Sequence, residues 1–193
     1  MEPTALLNAL HVAEGLKNTT RHCYTSGGRH ESVAEHSWRL ALMAYWLRDE
    51  FPTLDMERVV RMCLIHDLGE AFTGDIPSFQ KTQADEAREE SLLSGWVDSL
   101  PEPFRTEMAA LYREMSARET PEAKLFKALD NLEAVIQHNE SDLSTWSENE
   151  FALNLRYGYD KCAWSPELLA LRDAVRTETE ARIDAFRKEQ STC

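Results

Sequence analysis

An all-α, single-domain helical bundle is the architecture this sequence predicts, and three observations carry it. Apolar residues recur at three- and four-residue steps in almost every periodic segment. Gly and Pro, seven of each in 193 residues, are too few for a chain built of short strands and tight turns. No internal repeat, low-complexity tract or linker-like stretch divides the chain, whose length suits one compact domain with a real core.

The elements follow in order. Thr4 to Lys17 places Leu6, Leu7, Leu10, Ala13 and either Val12 or Leu16 near one helical face. Asn18 to His30 is polar and holds the Gly27-Gly28 pair, so it reads as a loop. Ser32-Val33-Ala34-Glu35 matches a capping box, and the helix it opens should run to about Phe51, with Pro52 closing it. Asp55 can cap a helix from Met56 to about Leu68, which Gly69 ends. Residues 69–81 carry two glycines and a proline and predict an irregular, shaped connection of the kind that bears site residues.

Lys81 to Leu100 reads as a charged amphipathic helix. Pro101 and Pro103 mark a turn before a helix from Phe104 to about Arg118. Thr120-Pro121 is an N-cap followed by proline at the first helical position. The helix it starts carries Leu125, Leu129, Leu132, Val135 and Ile136 as its apolar stripe. Asn139 to Asn149 is polar, a shorter helix covers Phe151 to Tyr159, and Ser165-Pro166 starts the last helix, ending near Lys188.

Charge and cysteine usage narrow the function. Twenty-one basic against 34 acidic residues give a formal net charge of −13, which disfavours binding to nucleic acid polymers or an anionic membrane. A small anionic substrate stays open to it, because a bound metal and a few arginines can reverse the local field. Cys23, Cys63, Cys162 and Cys193 form no close pair and read as free thiols of a reduced, cytoplasmic protein. The N-terminal residues lack a secretory pattern, and the apolar run Leu40 to Leu47 is too short to span a bilayer. Trp38, Trp46, Trp96, Trp146 and Trp164 are expected in core or interface positions, not as base-stacking platforms.

Four residues carry the chemistry. His66-Asp67 closes the apolar run Met62-Cys63-Leu64-Ile65, and a histidine and a carboxylate beside core residues are costly unless something pairs with them. A divalent metal would do so. Neighbours in a helix point about 100° apart, so both reach one ion only where the helix ends or the ion sits between them. An acid at a helix C-terminus is also disfavoured by the dipole, which a cation would offset. His36 shares the face of Val33, Leu40, Met43 and Leu47, where a histidine is more often a satisfied core residue than a ligand. Asp130 borders the stripe of Leu129, Leu132 and Ile136, where alone it is a polar flank. Together the four are two imidazoles and two carboxylates, a set suited to Mn, Co, Zn, Fe or Ni.

The order His36, His66-Asp67, Asp130 resembles the HD-domain metal-dependent phosphohydrolases. The blocks Glu31-Ser32-Val33-Ala34-Glu35-His36-Ser37, His66-Asp67-Leu68-Gly69-Glu70 and Thr73-Gly74-Asp75-Ile76-Pro77 are similar to the bacterial 5′-deoxynucleotidase branch and its eukaryotic relatives. The resemblance covers most of residues 5–140; helices over 150–188 match only as generic helix. It implies a single HD domain with one divalent ion, Mg included, held by His36, His66, Asp67 and Asp130. It implies hydrolysis of deoxyribonucleoside 5′-monophosphates to nucleoside and phosphate, and a homodimer. By matching position, Glu70 is the catalytic carboxylate, Asp75 a second carboxylate that positions or deprotonates water, and Arg21 and Lys81 are substrate-pocket cations. The deoxynucleotidases carry a tryptophan after that arginine, crowding the sugar 2′ position. Here the residue is His22, which leaves the sugar preference open.

Each role has a plain competitor. Glu70 could be a surface glutamate, Asp75 a turn aspartate, Arg21 a solvated loop arginine. Two-metal HD oxygenases and phosphodiesterases add histidines between the HD pair and the last aspartate, and this chain has none there. A nucleoside triphosphate hydrolase would need more basic groups than Arg21 and Lys81, with Lys17 and Arg29 as possible additions. A non-catalytic ligand sensor is disfavoured because His36, His66, Asp67, Glu70 and Asp130 are all present.

Overall fold

The computed structural model describes residues 1–77 and 80–191. Helix α1 (Pro3–Asn18) leads into a two-stranded antiparallel hairpin, β1 (Thr20–Tyr24) and β2 (His30–Ser32). Then come α2 (Val33–Trp46), α3 (Met56–Ile65), a single turn α4 (Glu70–Thr73), α5 (Gln83–Ser99), α6 (Phe104–Ala117) and α7 (Pro121–Glu140). Two more single turns, α8 (Glu150–Leu153) and α9 (Tyr159–Cys162), precede the long α10 (Pro166–Gln190).

The helix starts are set by their caps. Ser32 and Glu35 form the reciprocal capping box at α2, Asp55 accepts from Arg58 N at α3, and Thr120 accepts from Ala123 N ahead of Pro121 at α7. Each cap satisfies a backbone donor that the helix itself cannot. Thr82 and Asp85 supply a second capping box at α5.

Helix α7 is the axis, packed by α2, α3, α6, α9 and α10. Its Leu125, Leu129 and Leu132 have no exposure, and they meet Leu40 and Ala44 of α2 and Val59, Met62 and Cys63 of α3 in one core. Full burial of each leucine contributes about 1.5–3 kcal/mol. A smaller cluster, Leu16 with Val33 and Leu68, seats α1 beside α2 and the end of α3. Gly15 allows close approach there: a Cβ on it would stand 3.3 Å from that of Ala71 in α4.

Four expectations need correction. Asn18 to His30 is not a loop: Thr25 N donates to Arg29 O at 2.7 Å and Gly28 N to Thr25 O at 3.0 Å, closing a hairpin. The hairpin is held from outside by Gln137 Nε2 donating to Tyr24 O at 2.7 Å, a contact 113 residues away that no local pattern announces. Helix α2 ends at Trp46, with a short 3-10 turn over Arg48–Glu50 before Pro52. Helix α3 stops at Ile65, three residues early, and residues 66–69 turn tightly into α4, so the connection after Gly69 begins as helix. The segment from Phe151 to Tyr159 is not one helix: the single turn α8 ends at Leu153, and the next turn, α9, begins only at Tyr159.

Leu6, Leu7 and Leu10 on α1, and Trp38 and Trp46 on α2, stay exposed, whereas Trp146 is buried. Cys23, Cys63 and Cys162 are free and buried; Cys193 lies outside the described residues. No helix among the described residues is long and apolar enough to cross a membrane.

Candidate active site

The capping box places His36 one turn into α2, on the face that carries Val33 and Leu40, and leaves it 1% exposed. His66 is the C-cap of α3. Because the helix ends there, Leu68 N donates to Ile65 O and Glu70 N to Asp67 O in successive tight turns. The turned backbone lets His66 and Asp67 converge, which an unbroken helix would oppose. Asp130 comes from the middle of α7.

The four side chains meet at one point. His36 Nε2 lies 3.3 Å from His66 Nε2 and 3.2 Å from Asp130 Oδ1. His66 Nε2 lies 2.9 Å from Asp67 Oδ2, and the two remaining imidazole–carboxylate distances are 3.8 Å. Ligands about 2.1 Å from one ion stand about 3.0 Å apart at right angles and about 3.4 Å apart in a tetrahedron. The observed spacings bracket those values, so the donor set fits a divalent ion.

The proton positions agree. His66 Nδ1 faces the Cys63 carbonyl at 2.9 Å, and a carbonyl only accepts, so Nδ1 carries the hydrogen and Nε2 offers its lone pair to the centre. His36 Nδ1 is bonded to Glu133, which orients its Nε2 in the same way. A carboxylate behind a ligating histidine is the usual support of a metal site.

Glu133 was not among the residues singled out from the sequence, yet it organises the centre. It has no exposure and receives His36, Arg21 Nη1 at 3.3 Å and Arg39 Nε at 2.6 Å. Burial works to raise its pKa, but His36, Arg21 and Arg39 outweigh that and hold it at about 2. The available signal was helical spacing: Asp130 and Glu133 on α7 are three apart, as are His36 and Arg39 on α2, so each pair shares a face. Lys127, three residues before Asp130, likewise donates to its Oδ2 at 2.6 Å.

The carboxylates Asp67 and Asp130 are held ionised, ready for a cation, and in the absence of one a proton on His36 takes its place. Burial disfavours ionised Asp67, yet His66 and His36 bring its pKa down to about 2. Asp130 is also drawn well below the carboxylate range, with Lys127 and the two histidines overcoming its burial. Burial and the Arg21 charge oppose protonation of His36, but Glu133 and Asp130 raise it to about 9. Glu70 behaves oppositely. Burial first, then Asp67, Asp75 and Glu89, push it to about 10, and its Oε2 is buried with no hydrogen-bond partner. An orphaned carboxyl oxygen amid like charges is the mark of a site short of a positive charge. Burial likewise raises Asp75, against the pull of Arg21.

A cavity of about 560 Å3 opens over this centre, a volume suited to a small-molecule ligand. His36, Asp67, Asp130, Glu70, Asp75, Arg21, His22 and Lys81 all line it. His66 lies outside that lining, as do Lys17 and Arg29, the further cations weighed for a triphosphate. Each of the three predicted substrate contacts is tied to a carboxylate: Arg21 to Glu31 at 2.8 Å, His22 to Glu150 at 2.9 Å, Lys81 to Glu89 at 2.7 Å. Gly74, at φ 78°, turns the chain between Glu70 and Asp75 through a conformation other residues rarely adopt. The wall also draws on His138, Glu150, Asn154, Tyr157 and Lys161, so the site extends past residue 140, where the sequence reading placed its limit.

Comparison with known proteins follows the same lines. Residues 13–172 match the HD domain family. The 5'-deoxynucleotidase HDDC2 of Mus musculus is 33% identical over 186 residues, spanning 92% of this chain and 90% of its own. The human 5'-deoxynucleotidase HDDC2 is 31% identical over 192 residues, covering 96% and 91%. Among solved structures, a predicted metal-dependent phosphohydrolase from Magnetospirillum magnetotacticum MS-1 superposes with a TM-score of 0.76 at 28% identity, over 93% of each chain.

Proposed function

The chain belongs to the HD domain family, and from that premise we propose that it is a metal-dependent phosphohydrolase releasing phosphate from (deoxy)ribonucleoside 5′-monophosphates. One observation carries the reading: four ligand-type side chains converge beneath a nucleotide-sized cavity that two further carboxyls, Glu70 and Asp75, also line. The names of the mouse and human relatives supply the substrate class.

His36, His66, Asp67 and Asp130 would hold one divalent ion in this centre, of the Mn, Co, Zn, Fe, Ni or Mg series. Bound there, the ion supplies Lewis acidity, offsetting phosphate charge and acidifying water. The chain's own groups do the rest. Arg21, fixed by Glu31 and Glu133 through Nη1, presents its guanidinium to the phosphate. Lys81 adds a second positive charge, and His22 stands beside Arg21 toward the sugar. Glu70 manages the proton of the attacking water, helped by Asp75. The P–O5′ bond breaks, oxygen from water completes the phosphate, and the nucleoside leaves with the proton.

The wider reading is one HD domain over residues 1–193, working as a cytoplasmic homodimer. The buried free thiols support a reducing compartment, and exposed Leu6, Leu10, Trp38 and Trp46 support a partner surface. Triphosphate hydrolysis is the second reading, favoured by Arg118, Lys127 and Lys161 in the cavity wall.

The test is phosphate release from deoxy- and ribonucleoside 5′-mono- and triphosphates, using metal-stripped protein resupplied with Mn, Co, Mg or Zn. Monophosphate turnover that vanishes in Asp67→Ala is the expected result, and the deoxy/ribo ratio reports on His22. Turnover of triphosphates alone moves the chain to the second reading. Silence on both, with metal bound, rejects nucleotide hydrolysis.

A further inference from the structure

The cavity wall holds a second set of donor atoms that the reaction above does not use as such. His22 Nε2 and His138 Nε2 each lie 2.9 Å from the same atom, Glu150 Oε1. The three donor atoms fall within 4.8 Å of one another. His138 and Glu150 are buried, and the His22 side chain is a third exposed.

The proton positions are fixed from behind. His138 Nδ1 sits 2.8 Å from the Ala134 carbonyl, which only accepts, so Nδ1 bears the hydrogen. A neutral ring then presents a lone pair at Nε2, and what it faces is a carboxylate oxygen. Glu150 cannot turn away or readily take up a proton. Its Oε2 accepts from Ser147 N at 2.6 Å and Ser147 Oγ at 2.7 Å, and the histidines with Ser147 overcome its burial to keep it strongly acidic. An imidazole nitrogen facing a carboxylate oxygen at 2.9 Å has a positive centre between them, either a proton on Nε2 or a metal ion.

Protons on the two Nε2 atoms would give Glu150 Oε1 two hydrogen bonds, whereas one metal ion would take all three atoms as ligands. Two imidazoles and one carboxylate with open positions are a zinc-type donor set, and 2.9 Å is the spacing of two ligands about 2.1 Å from one ion at right angles. The Ala134 carbonyl behind His138 and Ser147 behind Glu150 are the outer supports such a site requires.

We propose that His22, His138 and Glu150 form a second divalent-cation site, of zinc-like preference, opening onto the same cavity as the His36 centre. Its open positions face the cavity, so it takes an anionic oxygen or ring-nitrogen donor of the molecule bound there. The assignment stands on these side chains alone, whatever ester the cavity receives.

The test counts metal. Stripped protein is equilibrated with zinc or cobalt(II), desalted, and measured by elemental analysis and cobalt absorption. Wild type should retain about one equivalent more than His22→Ala, and His138→Gln should show the same deficit. Asp67→Ala, which disables the other centre, should keep this ion and its imidazole-ligated cobalt spectrum. Equal metal counts in wild type and both histidine variants overturn the site and assign a proton to His138 instead. Circular dichroism checks folding; should His138→Gln fail to fold, His22→Ala, altered on a partly exposed strand residue, decides alone.

Discussion

His36 reaches the centre with both ring nitrogens committed, Nδ1 to Glu133 and Nε2 toward Asp130 and His66. Its usefulness therefore depends on a residue that touches no substrate. Glu133→Gln is expected to weaken divalent metal binding about 10- to 100-fold, read by competition with a chromophoric chelator, while far-UV circular dichroism stays unchanged. Unchanged affinity would show that the ring is oriented by packing alone. Glu70 poses the complementary question. Glu70→Gln keeps the shape and removes the titrating group, so kcat should fall about 10²- to 10⁴-fold with the His36-centre metal retained. His36, His66, Asp67 and Asp130 stood out as candidates because His66-Asp67 closes an apolar run and because the order of all four resembles a family pattern; alone, His36 reads as core and Asp130 as a polar flank. Glu133, His138 and Glu150 did not, since each reads as a polar flank until its partner is known.

Helix α2 shows how an element places a side chain. Ser32 and Glu35 fix its first turn, Arg29 grips Glu35 at 2.5 Å, and His36 follows directly. Ser32→Ala should cost about 0.5–2 kcal/mol, measured by urea unfolding. The pH dependence has a definite sign. Arg29, then Ser32, hold Glu35 at about 2, below its ordinary 4.5. Its contribution is thus present above 4.5 and lost as pH falls toward 2. The urea-midpoint difference between wild type and Glu35→Gln should shrink from about pH 5 to about pH 3; a constant difference would refute the pairing. Caps and stripes made α2, α5, α6, α7 and α10 readable. The hairpin β1–β2 was not, because Gln137 supplies an ordering contact from far outside the segment.

At the scale of the molecule, α10 closes the far wall of the cavity through one buried cation. Arg172 has no exposure and donates from Nε to Tyr157 O at 2.8 Å and from Nη2 to Asn154 O at 2.7 Å, with its guanidinium over the Tyr159 ring. Those carbonyls belong to the stretch that contributes Asn154 and Tyr157 to the cavity. Arg172→Met should lower unfolding free energy by about 2–5 kcal/mol, since two buried acceptors lose their donor. A thermal midpoint equal to wild type would mean that water or repacking replaces it. Residues 150–172 thus belong to the site as much as to the scaffold, although their sequence shows only short helical fragments.

The chain's order of residues determined which groups could act. Helical period and capping residues follow from local backbone geometry, and His66-Asp67 shows itself as charge set beside apolar side chains, all written within a few residues of each position; the wider run with His36 and Asp130 was carried by the family resemblance. Tertiary structure alone decided which charges face one another: Glu133 behind His36, His22 and His138 on Glu150, Arg172 under the cavity wall. Those pairings join residues far apart in the chain, and each polar group gains a partner only when packing removes it from water. The burial that makes them matter does not exist until the helices have met.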